Sequence, residues 1–173
     1  AWADPRERSE AALAAALENL RVIDEPDLVA MPDAMALRAG AGASAGEIDR
    51  DAAMRLQQHV IAHCAARGDR FAILDALPGS SVQTVLAQRE RIVRGAPEPL
   101  DAALYWPWPR AATQRVLPPC GHVAGVYARR DAQAGSFRAP ANEELLGVLD
   151  LDQVVGDAVQ DVLAPEGVNC LRA

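Results

Sequence analysis

Short apolar stretches alternate with amphipathic helical segments along most of this chain, and this alternation limits the folds that it can adopt. The stretches "DLVAMPD", "RFAILDALPG" and "AALYWPW" each read as a buried strand, and turn residues end them. Parallel strands need long crossover connections, which the intervening helices supply. We therefore predict a single domain over residues 1–173, of the α/β class, in three layers with a mostly parallel sheet covered by helices on both faces.

Helices are predicted where apolar residues recur every three or four positions. "RAGAGASAG" is predicted to be a loop and "GVLDL" could be a fourth strand. Gly121 and Gly125 would let the fourth helix pack closely on the sheet. The inward face of the fifth helix is predicted to consist of Leu151, Val155, Ala158 and Val162. The five predicted helices cover residues 9–20, 47–66, 80–93, 121–133 and 152–163.

Composition argues against several kinds of partner. The formal net charge is −7, and all 17 basic residues are arginines. An acidic domain without a basic stripe is a poor nucleic-acid binder. No apolar run approaches the roughly 20 residues that span a bilayer, and no signal peptide is present, so no membrane partner is expected. The three widely spaced cysteines form no disulfide framework and no CxxC motif, which indicates synthesis in a reducing cytoplasm.

Asp33 and Asp75 follow the first two predicted strands. Because the carboxyl ends of parallel strands meet at one edge of a sheet, these carboxylates could hold a divalent cation or act as an acid–base pair. The simpler interpretation is turn chemistry, since Asp beside Pro or Gly is common in turns. No third ligand or nucleophile is spaced to join them. A metal-dependent α/β hydrolase that uses Asp33 and Asp75 is kept as the alternative function.

Two other pairs contain residue types that occur in metal or nucleophilic sites. His59 and His63 are four apart on a helix, but the Glu of an HExxH zinc motif is missing, and His63 is predicted to be a packing residue. Cys64 beside it reads as a small core residue. Cys120 and His122 are two apart at a helix start and would not face each other. The sequence thus predicts no catalytic, cofactor-binding or metal-binding residues, and no cofactor.

Large aromatic residues occupy two proline-stiffened or extended connectors. Trp106 and Trp108 lie in "LYWPWPRAATQRVLPP", and Phe137 lies in "GSFRAPANEELL". Apolar rings left in water suit a contact surface with a partner. They could equally fold back onto their own domain, and the residues alone leave both alternatives open.

The stretch "VLPPCGHVAGVYARRDAQAGSFRAPAN" resembles the most characteristic segment of the contractile tail sheath protein family. The family pattern runs from a proline pair through a small residue, Gly, AGVYAR, Asp, Gly and an aromatic residue to APAN, and each element is present in order. The segments "LVAMPD", "RFAILDALPG", "AALYWPWPR" and "PEGVNCLR" match in the same order, so the resemblance extends from about Leu20 onwards. Cys120 stands where the family pattern has a small residue, which argues against a nucleophile.

The resemblance implies a structural function. It implies an α/β domain of subtilisin-like topology without protease chemistry, and therefore no enzyme. Such subunits form the sheaths of contractile bacteriophage tails, prophage remnants and extracellular contractile injection systems. They associate with one another in a helical stack of rings around an inner tube protein, join a baseplate and contract to drive injection. The expected location is the bacterial cytoplasm during synthesis and then the tail or injection-system particle.

The resemblance also concerns the two ends of the chain. Family members continue on both sides of this domain, and one arm completes the sheet of a neighbouring subunit. Strand addition of this kind needs both a donor strand and an open sheet edge. The chain begins at Ala1 and ends at Ala173 without such arms. We therefore expect a fragment that is monomeric, or weakly associated, at micromolar concentration.

Overall fold

The computed structural model describes residues 9–40, 46–98 and 100–172, so most of the predicted glycine loop lies outside the described residues. The helices are α1 (Glu10–Asn19), α2 (Arg50–Arg67), α3 (Val82–Val93), α4 (Cys120–Ala134) and α5 (Asp157–Leu163). The strands are β1 (Leu28–Ala30), β2 (Phe71–Asp75), β3 (Ala102–Trp106), β4 (Pro109–Ala111), β5 (Val148–Leu151) and β6 (Val168–Cys170). Strands β1, β2, β3 and β6 form a parallel sheet in that order. The predicted α/β class with a mostly parallel sheet is confirmed.

Local capping residues explain three of the helix ends, one in α1 and two in α2. The Ser9 hydroxyl accepts a hydrogen bond from the Ala12 backbone N–H at 3.1 Å, at the start of α1. The Asp49 carboxylate does the same for α2, which begins three residues later than predicted. Gly68 ends α2 in the left-handed region, with φ of +69°, a conformation that favours glycine. These caps are encoded in the neighbouring sequence.

The sheet separates two apolar layers, as the predicted three-layer arrangement requires. Alternate residues of β2 point to opposite faces: Ala72 and Leu74 belong to the larger buried cluster, and Ile73 belongs to the smaller one. The larger cluster includes side chains from α1, α2, α3 and α5. Helix α4 alone supplies the helical part of the smaller cluster, where it packs on β1 and β2. The two faces of the sheet are therefore covered unequally.

The "GVLDL" stretch is a strand, but it does not enter the parallel sheet. It forms β5, which pairs antiparallel with β4, so that Pro109 faces Leu151 and Arg110 faces Asp150. Leu149 and Asp150 are exposed. A strand with exposed residues on it is unsuited to the interior of a parallel sheet, which is buried on both faces. Within the run "AALYWPW", the strand of the parallel sheet ends at Trp106, and β4 begins at Pro109.

The prediction for the fifth helix is wrong at its start and in its inward face. The helix begins at Asp157, because Asp152 is used elsewhere: its carboxylate accepts the Trp108 backbone N–H at 2.8 Å. Of the predicted inward residues, Leu151 and Val155 are buried but lie before the helix, whereas Ala158 and Val162 within it are exposed. Leu163 is the residue of α5 that is fully buried. Starting the helix five residues too early shifted the predicted face.

The role predicted for the glycines of α4 is also wrong. Gly121 and Gly125 are exposed, and a Cβ atom at either position would have no atom within 4 Å. The helix packs through another face, on which Cys120, Val123 and Val126 are buried. The larger valine side chains bury more apolar area than glycines could, and they decide which face meets the sheet.

Candidate functional site

The carboxyl ends of β2 and β3 bring two motif-bearing segments into contact. Trp106 and Trp108 are buried, with 2% and 8% of their surfaces exposed. The indole N–H of Trp106 donates to the Ser80 carbonyl oxygen at 3.0 Å, and that of Trp108 donates to the Ala76 carbonyl oxygen at 2.8 Å. Of the two alternatives for these tryptophans, the structure shows that they fold back onto their own domain. They fasten the loop after β2 to the segment after β3.

Two buried glutamines hold the start of the same loop. Gln57 on α2 donates from Nε2 to the Asp75 carbonyl oxygen at 2.6 Å. Gln88 on α3 accepts from the Leu77 backbone N–H at 2.8 Å and donates to Gln57 Oε1 at 2.8 Å. Leaving one buried polar group unpaired costs about 1–3 kcal/mol, so the set is strongly favoured as a unit. The network fixes α2, α3 and the loop after β2 relative to one another.

The sequence analysis missed these glutamines, although the helical spacing contains a signal. Val85, Gln88 and Ile92 recur with the spacing of one helical face, and all three are buried. A polar residue on a buried face needs a hydrogen-bonding partner. The position of Gln88 therefore marks it as a member of a buried network, but its partners, which lie 11 and 31 residues away, cannot be read from the sequence.

Asp75 connects this network to α4. Its side chain is 2% exposed, and Oδ1 accepts a hydrogen bond from the Cys120 backbone N–H at 2.7 Å. Pro119, which precedes α4, provides no side-chain cap, so Asp75 caps the helix from a neighbouring strand. Burial raises the pKa of Asp75 to about 6, although its hydrogen bonds with Cys120 act in the opposite direction. Asp75 thus has an architectural role.

The hydrolase alternative gains no support from the positions of Asp33 and Asp75. Asp33 is half-buried in a short 3-10 helix after β1, whereas the Asp75 carboxylate is buried against α4. In the described part of the chain, no group of three His, Cys, Asp or Glu side chains is placed to hold a metal ion. Nor does any helix among those residues have the length and apolar character needed to cross a membrane.

His59 and His63 lie in different environments. His59 is exposed, whereas His63 is buried with Nε2 2.8 Å from Nη1 of Arg70. Arg70 also donates to the carbonyl oxygens of Leu20 and Ile23, which follow α1. Burial, together with the charge of Arg70, lowers the pKa of His63. Because a guanidinium can only donate hydrogen bonds, His63 accepts through Nε2 and is neutral. Through Arg70, His63 on α2 is linked to the residues that follow α1.

The buried cysteines are unreactive. Cys120 is 1% exposed, and burial raises the pKa of its thiol, with Asp75 adding to the effect. Burial likewise raises the pKa of Cys64 to about 11, and this residue belongs to the core as predicted. Because the thiolate is the nucleophilic form, both thiols are inert near neutral pH. Among the described residues, no hydrogen bond joins Cys120 to His122.

An open cleft of about 890 Å³ lies between α4, residues 139–151 and β6. On its wall, the hydroxyl groups of Tyr105 and Tyr127 are 3.0 Å apart, and the Tyr127 ring stacks on Phe71 with centroids separated by 6.0 Å. These hydroxyl groups are engaged with each other within the domain. The cleft lies over the part of the sheet that α4 leaves uncovered.

The sequence of the chain matches the profile of a known protein family over most of its length. A family profile described as the phage tail sheath protein central domain matches residues 9–173. A search of curated protein sequences gives no significant match.

Three solved structures are similar to the chain in fold. A chain from the anti-feeding prophage (AFP) baseplate is 24% identical, with a TM-score of 0.64 over 92% of this chain. A chain from the contracted sheath complex of PVC, an extracellular contractile injection system, is 24% identical, with a TM-score of 0.63 over 92% of this chain. A chain from the contracted helical sheath of AFP is 25% identical, with a TM-score of 0.59 over 95% of this chain. This chain spans 37%, 39% and 40% of the length of those three chains.

Proposed function

Because the chain belongs to the phage tail sheath family, through a match to its central domain over residues 9–173, we propose that it is a structural subunit of a contractile tail sheath. Copies of the subunit polymerise around an inner tube and contract to drive injection. The family membership confirms the resemblance that the sequence motifs gave.

The family match carries the proposal, and the buried network after β2 supports it. In α/β enzymes the carboxyl ends of the strands hold the reacting groups. Here the equivalent loop is occupied by internal hydrogen bonds from Gln57, Gln88, Trp106 and Trp108. A subunit that transmits force in a contracting lattice has to move as a rigid body, and a buried, satisfied polar network resists local opening.

In this proposal the domain, residues 1–173, contains no catalytic, cofactor-binding or metal-binding residue. Three of the candidate side chains that the sequence singled out are used internally. Asp75 caps α4, the Cys120 thiol is protonated and buried, and His63 accepts from Arg70. These contacts leave no nucleophile beside a base, the arrangement that hydrolysis without a metal needs.

The proposed partners are other sheath subunits, an inner tube protein and a baseplate. The solved structures with this fold are described as parts of a baseplate, of a sheath complex and of a helical sheath. An acidic surface with a formal net charge of −7 makes nucleic acid an unsuitable partner. The proposed location is a phage tail or injection-system particle that is assembled in the bacterial cytoplasm.

Particle purification tests this function. Sedimented tail-like or injection particles from the bacterium that encodes the chain are separated on a density gradient and analysed by mass spectrometry. We expect peptides of this chain to copurify with a tube protein in comparable molar amounts, because sheath and tube subunits are arranged in matching helical layers of the same particle. Intact particles whose sheath consists of a different protein, with this chain left in the soluble fraction, would refute the proposal.

A further inference from the structure

An aromatic ring just after the end of α4 is exposed to solvent. Phe137 is 88% exposed, yet its ring lies over Gly135, where a Cβ atom would be 2.6 Å from ring atom Cε1. Gly135 has φ of +85°, which disfavours a side chain there for a second reason. We call Phe137 and the adjacent Arg138 the Phe137 knob.

Arg138 adds an uncompensated positive charge to this knob. Its backbone N–H donates to the Gly135 carbonyl oxygen at 3.3 Å, which holds the residue beside the helix end. Its guanidinium has no carboxylate partner among the described residues, whereas Arg129 and Arg130 both lie within 4 Å of Glu143. The knob therefore combines an exposed ring with a free cation, the side-chain types that dominate binding energy in protein interfaces.

The second surface consists of exposed residues of α5 and of Val154, three residues before the helix. Val154 is 94% exposed and Val162 is 49% exposed, although both are apolar. The carboxylate of Asp161, next to Val162, makes no ion pair or hydrogen bond with another described residue. Leu163 anchors the helix from the opposite side, where it is fully buried. We call Val154, Asp161 and Val162 the α5 face.

We propose that the Phe137 knob of one copy docks on the α5 face of the next copy. This inference rests on the proposed function, because it names the surfaces through which sheath subunits meet. Each surface has exposed apolar side chains, and their free charges, Arg138 and Asp161, are opposite in sign. Docking removes the Phe137 ring and the two valines from water and gives each free charge a partner.

The positions of the two surfaces agree with an open assembly. Helix α4 packs on one face of the sheet and α5 on the other, so the knob and the α5 face belong to opposite layers of the domain. A contact between two different surfaces leaves a free knob at one end of the pair and a free α5 face at the other. Repetition of such a contact gives a ring or an open helix, which is the symmetry of a sheath.

Other exposed apolar residues fit the knob less well. Val22 is 86% exposed, but its acidic neighbour Asp24 is already paired with Arg67 at 2.9 Å. Leu146 and Leu149 are exposed in the segment that Arg129 holds to α4 through the Glu144 carbonyl oxygen. The acidic residue Glu143 of this segment is already paired with Arg129 and Arg130.

Thiol cross-linking between two variants tests the contact. Arg138→Cys and Asp161→Cys are made in a Cys170→Ser background, since Cys64 and Cys120 are buried. The variants are mixed at high concentration with a short bismaleimide. We expect the mixed dimer to exceed either self-dimer by roughly tenfold, the ratio that corresponds to 1.4 kcal/mol of preference. In the control, Arg50→Cys takes the place of Arg138→Cys and is mixed with Asp161→Cys. Arg50 is another exposed arginine without an ion pair among the described residues, so this mixture is expected to give only background dimer.

Charge reversal provides an independent readout. Arg138→Glu is expected to weaken self-association about tenfold in sedimentation equilibrium, and Asp161→Arg in the same chain is expected to restore it. Association of the unmodified chain without a mixed-dimer preference, or with Arg138→Cys self-dimers in excess, refutes the contact while leaving the proposed function in place. A chain that stays monomeric at every concentration, in variants and wild type alike, refutes the contact, whereas its absence from purified particles refutes the function.

Discussion

Replacing Asp75 with Asn tests the account of the junction between β2 and α4. The change removes a buried charge but keeps an oxygen that can accept from the Cys120 backbone N–H, now at 2.7 Å from Asp75 Oδ1. In the folded protein the pKa of Asp75 is about 6, above its ordinary value of 3.8, because the carboxyl group is buried. A raised folded pKa contributes stability below the unfolded value that is lost as pH rises through about 6.

The size of the effect follows from the two pKa values. Their difference corresponds to about 3 kcal/mol between the limits of low and high pH. We therefore expect Asp75→Asn to match the wild type within about 1 kcal/mol near pH 4 and to be more stable by about 2–3 kcal/mol near pH 8. Helix-dipole stabilisation of the ionised carboxylate reduces this gain and is part of the range.

Urea unfolding followed by circular dichroism measures the difference. Wild type and variant are compared at each pH from about 4 to about 8, so that the titration of all other groups, including His63, cancels. The control is Asp131→Asn, which removes an exposed carboxylate from α4, the helix that Asp75 caps. A stability difference for Asp75→Asn that stays constant across this range would show that the carboxyl group does not titrate there, and the reasoning about its burial would be wrong.

Three further predictions concern single side chains. Gln88→Leu leaves the Leu77 N–H and Gln57 Oε1 unpaired, so we expect the free energy of unfolding to fall by about 2–4 kcal/mol in urea titrations. Gln58→Leu, which breaks a hydrogen bond at the surface, is the control and should cost less than about 1 kcal/mol; equal losses would contradict the network. Gly125→Leu should raise the melting temperature slightly, because the site is open and leucine favours helix by up to about 1 kcal/mol; a large drop would mean that this face is covered. The pKa of His63 is lowered from 6.5 by burial and Arg70, so its contribution to stability is present above pH 6.5 and lost as pH falls through the folded value. His63→Gln should remove that loss in thermal melts, and an unchanged acid dependence would contradict the assignment.

The parts of the fold that depend on local pattern could be predicted from the sequence. Strands β1 and β2 end shortly before Pro32 and Pro78, and α2 ends at Gly68, whose conformation favours glycine. Helical spacing also predicted α1, in which Leu17 is buried. Each of these features is specified within a few residues of where it occurs.

The errors arose where distant residues decide the structure. The segment before α5 has a helical pattern, but Asp152 accepts the Trp108 backbone N–H, a contact across 44 residues, and the helix starts only at Asp157. The glycines of α4 have a spacing typical of close packing, yet Val123 and Val126 determine the buried face. The hydrogen-bond network around the loop after β2 was missed because its donors and acceptors come from α2, α3, β2, the end of β3 and the segment after it. Only the fold brings these elements together.

Cryo-electron microscopy of contractile particles from the source bacterium tests the central claim most directly. If the chain is a sheath subunit, a helical reconstruction will show its four-stranded parallel sheet, flanked by α4 on one face and by α2 and α3 on the other, repeated in the outer layer around a tube. The layer would keep this domain fold in extended and contracted particles, because the buried network makes it rigid. Particles whose outer layer has a different fold, or in which the sheet and α4 separate on contraction, would contradict the account.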